Sequence, residues 1–239
     1  MTTSEEVLTA EIARLKREKD AVILAHNYQR GSVQDVADYV GDSLELARIA
    51  SNLECECIVF CGVDFMAESA AVLNPDKSVL LPERDATCSM AMMATAEQVR
   101  AAAQGYEDVA VVAYVNTSAE VKAEADICCT SANSAKVVNS LEQRNVLFVP
   151  DKNLAAWTQR HTTKRIIPWD GYCATHHQIL LGDVLAAKHE HPNAVLMVHP
   201  ECRPEVCDVA DVITSTSAVS YTHLRAHETS LHLVCRLLL

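Results

Sequence analysis

The sequence predicts an α/β fold built on short parallel sheets, arranged as similar units of which the third is incomplete. Three observations carry this. Apolar runs without alternation, the mark of strands buried on both faces, recur at Ala21–Gln29 (AVILAHNYQ), Val109–Ser118 (VAVVAYVNTS) and Ala194–Cys202 (AVLMVHPEC). Each run ends in polar side chains, the end at which open α/β sheets bind ligands: His26 and Tyr28, Tyr114 and Asn116, His199 and Glu201. Between the runs, helical and strand patterns alternate with a period of about ninety residues, too long for a solenoid and suited to fused α/β domains. Like residues at like strand ends predict one shared site.

The elements follow in order. Residues 4–18 carry an amphipathic helix with Val7, Leu8, Ile12 and Leu15 on one face, and the first strand is 21–27. Asp35–Asn52 has helical spacing, Cys57–Gly62 reads as a buried strand, Phe65–Leu73 as a helix and Ser78–Pro82 as a third strand. The loop ERDATCSMA then holds Cys88 and opens a helix through Met92, Met93 and Val99. The second unit repeats this grammar with strand 109–116, helix 118–125, strand Ile127–Thr130, helix 132–141 and strand Val146–Pro150. A helix with Leu154 and Trp157 leads to IIPWDGYCATHH, which holds Cys173, and a helix over Ile179–His189 closes the unit. A third unit starts with strand 194–199, a short helix around Glu205–Ala210 and strand Val212–Ser215. The predicted bounds are 1–105, 106–190 and 191–218, with three strands in each complete sheet. Residues 219–239 (VSYTHLRAHETSLHLVCRLLL) break the pattern and resemble a translated adapter, so they are expected to be non-native and to pack poorly through Leu231, Leu233 and Leu237. A native amphipathic helix is the alternative.

Composition narrows the function. A chain of 239 residues can bury a sizeable core, and 49% hydrophobic with 22% charged residues is ordinary for a globular protein. No apolar run reaches the length of a membrane span, and the charged N-terminus has no signal-peptide core, which predicts a cytoplasmic protein with no membrane partner. A net charge of −12 argues against nucleic acid. The six glycines form no G-x-G-x-x-G and no P-loop, and neither H-E-x-x-H nor C-x-x-C occurs.

Ten cysteines in a reducing compartment point to metal, catalysis or burial rather than disulfides. Cys55, Cys57, Cys61, Cys128 and Cys129 lie in or beside strands and are expected to be small core residues. Cys88 and Cys173 differ. They stand 85 positions apart, each in a loop that opens a helix at the end of its unit, where a helix N-terminus favours the thiolate that metals need. The repeat places a third such cysteine at about 258–262, past the last residue given; three cysteines without a fourth suit an iron–sulfur cluster with one open iron. Among the strand-end residues, His and Glu suit proton transfer, while Tyr and Asn can donate to a carboxylate or oxyanion. His176 lies three residues after Cys173, and Ser43, Ser131, Ser215 and Thr216 supply hydroxyls at strand–helix junctions, where they either bind an anion or cap a helix.

Taken together, ILAHNYQ, VQDVADYVGDSLELA, GVDFMAES, AYVNTSAEVKAEAD, CTSANSAKVV, VLFVPDKNLAAW, WDGYCATHH, VHPEC and ITSTS resemble, in order and over about residues 5–218, the quinolinate synthase (NadA) family. The resemblance implies a pseudo-threefold arrangement of three-layer α/β/α units around a four-iron four-sulfur cluster. It gives the cluster one cysteine per unit, here Cys88 and Cys173, with the third missing from this chain. It implies a transferase of NAD biosynthesis that condenses iminoaspartate with dihydroxyacetone phosphate, losing phosphate and water to give quinolinate. L-aspartate oxidase or aspartate dehydrogenase is the implied source of iminoaspartate. Carried across by position, Tyr28 and Glu201 transfer protons with His26 and His199 beside them. Tyr114, Asn116, Ser43, Ser131, His176, Ser215 and Thr216 contact substrate. Thr87 stands where the family usually has Gly. With its third unit cut short, this chain is expected to be nearly inactive alone. Two other classes remain: a non-catalytic metal- or anion-binding α/β fragment, and a phosphate-sugar lyase or aldolase. The Schiff-base form of the latter needs a lysine at a main strand end, and none is present.

Overall fold

The computed structural model describes residues 4–216, which divide into two compact units between Cys88 and Ser89. In the first, α1 (Ser4–Glu18) leads to β1 (Ala21–His26), α2 (Gly31–Gln34) and β2 (Tyr39–Gly41). Then follow α3 (Ser43–Ala50), β3 (Cys57–Cys61), α4 (Asp64–Leu73) and β4 (Ser78–Leu80). The strands form one parallel sheet in the order β2-β1-β3-β4. Because parallel crossovers are right-handed, leaving β1 in both directions puts α2 on one face and α3 and α4 on the other. On the α3/α4 side Leu24, Ile58 and Phe60 pack with Leu46, Ala50, Ala67 and Ala70.

The second unit opens with a 3₁₀ turn at Ala91–Met93 and α5 (Ala96–Ala103), whose Thr95 and Gln98 form a capping box. It continues through β5 (Val109–Tyr114), α6 (Ala119–Ala123), β6 (Ile127–Cys129), α7 (Ser134–Ser140), β7 (Asn145–Val149), α8 (Lys152–Gln159) and β8 (Arg165–Pro168). The sheet order β6-β5-β7-β8 is the same path as in the first unit. Val111, Ala113, Leu147 and Val149 face Val99 of α5 and Val121 of α6. The alternate residues Val112, Tyr114, Val146 and Phe148 are buried on the opposite face, the side of α7 and α8. Helix α5 therefore packs with the second sheet, although it falls inside residues 1–105. After α9 (Ala174–His177) and α10 (Leu181–Glu190), a two-stranded parallel pair, β9 (Met197–Val198) and β10 (Val212–Ile213), is joined by α11 (Pro204–Asp208). Val184, Val198, Cys202, Val206 and Cys207 form its core.

The α/β class and the short parallel sheets are as the sequence predicts, but each complete sheet has four strands rather than three. In the first unit the omitted strand is β2, read as part of a helix over 35–52; in the second it is β8. Four of the five cysteines expected in the core also differ from expectation. Cys129 is buried, whereas Cys128, its neighbour on the opposite face of the edge strand β6, is exposed, and Cys55, Cys57 and Cys61 are only half-buried. Helix α1 rests on β1 yet buries no residue completely, leaving Val7 and Leu8 exposed. The expected non-native segment from 219 lies outside the described residues.

One device recurs three times. Asp38 Oδ2 accepts from the Ile23 N–H at 2.8 Å, Asp126 Oδ2 from the Val111 N–H at 2.7 Å and Asp211 Oδ2 from the Leu196 N–H at 2.8 Å, each across fifteen residues. The N–H of each aspartate returns a bond to the carbonyl of the same strand residue. The carboxylate thus clamps the chain entering the second strand of a unit to its first strand, and it satisfies an N–H beyond the ladder.

Candidate functional site

In sheets of this order the path reverses between the first and third strands, and a crevice opens past their C-terminal ends. In the second unit those strands are β5 and β7, so the ends of interest are Tyr114 and the Pro150–Asn153 segment. Around them the structure gathers Ser131, Cys173, His176, His199 and Glu201.

Glu201 is the centre. Its side chain is buried, and Oε2 meets His176 Nδ1 at 2.8 Å and His199 Nδ1 at 3.4 Å. The two imidazoles stack with centroids 4.7 Å apart. His176 Nδ1 also lies 3.1 Å from Cys173 Sγ, and His199 Nε2 lies 3.2 Å from Ser131 Oγ. Burial alone would raise the Glu201 pKa, but hydrogen bonds from His176 and His199 outweigh it and hold the carboxyl well below the usual range. Tyr114 is pushed far up, first by burial and then by the Glu201 carboxylate, so its phenol stays a proton donor. Burial, then Glu201, pushes the Cys173 thiol up to about 12. Among the described residues, the other carboxylate oxygen, Glu201 Oε1, is buried with no partner at full hydrogen-bond geometry, with the Tyr114 phenol and the Cys173 thiol as near neighbours of the carboxylate. A buried acceptor left open is costly unless something binds there.

The remaining expected residues are placed as follows. Asn116 is half-buried two positions past Tyr114, and Ser215 and Thr216 follow β10, also half-buried. In the first unit, His26 is buried at the end of β1, accepts the Tyr28 N–H at Nδ1 (3.3 Å) and meets the Tyr28 ring edge-on. Tyr28 itself is 70% exposed. Ser43 begins α3 beside Asp42, whose Oδ1 accepts the Glu45 N–H. Burial lowers the His26 pKa, opposed by Asp42. Cys88 is half-buried at the end of that unit.

Two residues escaped the sequence reading. Asp151 and Asn153 are buried in the first turn of α8, Asp151 bonded to the Cys173 N–H and Asn153 to the Glu201 carbonyl. Burial, then the Glu201 carboxylate, pushes Asp151 up to about 7. The missed signal was the polar burst PDKN ending β7, the partner strand at the point of reversal.

Cys173, His176 and Glu201 present sulfur, nitrogen and oxygen atoms within 4.8 Å of one another, a donor set able to hold a metal ion. The open Glu201 Oε1 and a thiol that burial keeps protonated without a cation both fit a metal group at Cys173.

Comparison with known proteins decides the family. The family model described as Quinolinate synthetase A protein (NadA) matches residues 10–235. A quinolinate synthase of Methanoregula boonei is 58% identical over 213 residues, covering 89% of this chain and 70% of the relative. One of Methanosarcina barkeri is 58% identical over 209 residues (87% and 69%), and one of Thermodesulfovibrio yellowstonii is 53% identical over 210 (87% and 69%). The chain belongs to the quinolinate synthase family. The quinolinate synthase motifs quoted above thus fall on the strand ends and helix starts described here, and VHPEC delivers both His199 and Glu201 to the buried cluster. No described helix is long and apolar enough to cross a membrane.

Proposed function

We propose that this chain carries the acid–base machinery of a quinolinate synthase that condenses iminoaspartate with dihydroxyacetone phosphate. The observation that supports it best is Glu201, a buried carboxylate held between two imidazoles with one oxygen open beside Tyr114 and Cys173. Such a group takes a proton at Oε1 while His176 and His199 hold Oε2 and fix its orientation. The Tyr114 phenol, kept protonated, donates to a carboxylate or a developing oxyanion, and Ser131 orients His199. Tyr28 is the second proton-transfer residue, with His26 beside it. Asn116, Ser43, Ser215 and Thr216 complete the substrate contacts.

The proposed resident group is a four-iron four-sulfur cluster on Cys88, Cys173 and a third cysteine from the sequence that the longer relatives add. When bound, it supplies a Lewis acid at an open iron that polarises substrate oxygens. The three-atom set at Cys173 offers a second reading, a single metal ion held by Cys173, His176 and Glu201.

Iron and sulfide content separates the two readings. The protein to use is a chimera that continues this chain after Thr216 with the remainder of the Methanoregula boonei relative, reconstituted anaerobically. Cys88→Ala or Cys173→Ala should abolish bound iron and sulfide, while Glu201→Gln should leave both unchanged. Loss of metal on Glu201→Gln, with Cys88→Ala silent and no sulfide bound, would establish the single-ion site instead.

A further inference from the structure

We propose that the first turn of α8 is a positioning device, in which Asp151 fixes Cys173 and Asn153 fixes Glu201, setting the thiol and the carboxylate at their working separation. The inference rests on the functional reading above.

Capping alone does not account for Asp151. Its Oδ1 accepts the Leu154 N–H at 2.6 Å and so caps α8. Helices α5 and α6 take the same service from Thr95 and Ser118, neither of them buried. Asp151 is 0% exposed, and burying a carboxylate where a hydroxyl would cap is costly. The difference lies in Oδ2, which accepts the Cys173 N–H at 2.9 Å across 22 residues. One carboxylate thus ties the helix start to the backbone of the candidate ligand.

The Cys173 loop is seated on α8 at two further points. The Lys152 N–H donates to the Gly171 carbonyl at 2.8 Å, in a parallel bridge between Asp151 and Gly171. A Cβ at Gly171 would stand 2.4 Å from the Pro150 carbonyl oxygen, so only glycine permits this approach. On the other side of the turn, the Asn153 amide donates to the Glu201 carbonyl at 2.9 Å and pairs with His177 Nδ1 at 3.0 Å. Asn153 is 5% exposed and reaches across 48 residues. Neither residue faces the reaction, so both are positioning residues: they act through Cys173 and Glu201.

The test uses Asp151→Ser, which can still cap α8 but is too short to reach Cys173, and Asp151→Asn, which supplies one acceptor where two are needed. Amide hydrogen exchange on the chain as it stands reads the tie directly. In Asp151→Ser the Cys173 amide should exchange at least about tenfold faster, while Leu154 and the β5 and β7 amides keep their protection. In the reconstituted chimera, Asp151→Ser and Asn153→Ala should release iron to a chelator about tenfold faster than the parent, the usual scale for groups that orient a ligand. Asp151→Asn should fall between. Unchanged Cys173 exchange, uniform acceleration across the sheet, or parental iron retention in both variants would each overturn the proposal. A parent chimera that takes up no iron would defeat the cluster reading, and the exchange result would still decide whether Asp151 holds Cys173.

Discussion

His26 and His199 occupy like strand ends, and the Nδ1 of each accepts the N–H two residues on, from Tyr28 and Glu201, yet the charges around the two ends differ. Glu201 has two imidazoles to hold its charge; His26 has burial against it and Asp42 in favour. A histidine whose folded pKa lies below its unfolded value stabilises the fold above the unfolded pKa. That contribution is lost as pH falls through the folded value. The denaturation midpoint should therefore fall as pH drops below about 6.5, the free histidine value. His26→Asn should flatten the part of that slope due to this residue; an identical slope in the variant would place its cause elsewhere. The strand-end residues were legible because an apolar run marks where they stand. Asp151 and Asn153 were not, because their partners Cys173 and Glu201 are 22 and 48 residues away and no local pattern announces such pairs. Cys128 was misjudged for a related reason: being in a strand does not decide which face is covered.

At the scale of elements, the two strands missed by inspection are both at sheet edges. β2 is three residues long with Tyr39 and Val40 exposed, and its strand character comes from pairing with Leu24–His26 rather than from its own sequence. The repeat itself contained the correction. Asp126 precedes the strand predicted at Ile127–Thr130, and Asp38 stands in the same relation to Tyr39–Gly41. The clamp makes a quantitative claim. Asp126→Ala leaves the Val111 N–H without its 2.7 Å acceptor, and a hydrogen bond to a charged group is worth about 1.5 to 3 kcal/mol. Asp126→Asn keeps an oxygen able to accept and should cost less in a urea titration. Equal losses for the two variants would show that the carboxylate charge, not the acceptor, holds the strand.

Over the molecule as a whole, a repeated α/β grammar leads to one chemical centre in the second unit. Its main strand ends follow from apolar periodicity, while its four-strand orders also need the edge strands that pairing defines. Its site follows from bringing Tyr114, Cys173, His176, His199 and Glu201 to the crevice that this order opens. The chain covers about 70% of the length of its quinolinate synthase relatives, so the decisive assay supplies the remainder. The measurement is anaerobic quinolinate formation from iminoaspartate and dihydroxyacetone phosphate by the cluster-loaded chimera, alongside its Glu201→Gln variant at equal iron content. The account predicts quinolinate from the parent and a rate lower by about a hundredfold or more in the variant, the scale of a lost acid–base group. A loaded parent that made no quinolinate, or a variant as fast as the parent, would contradict it.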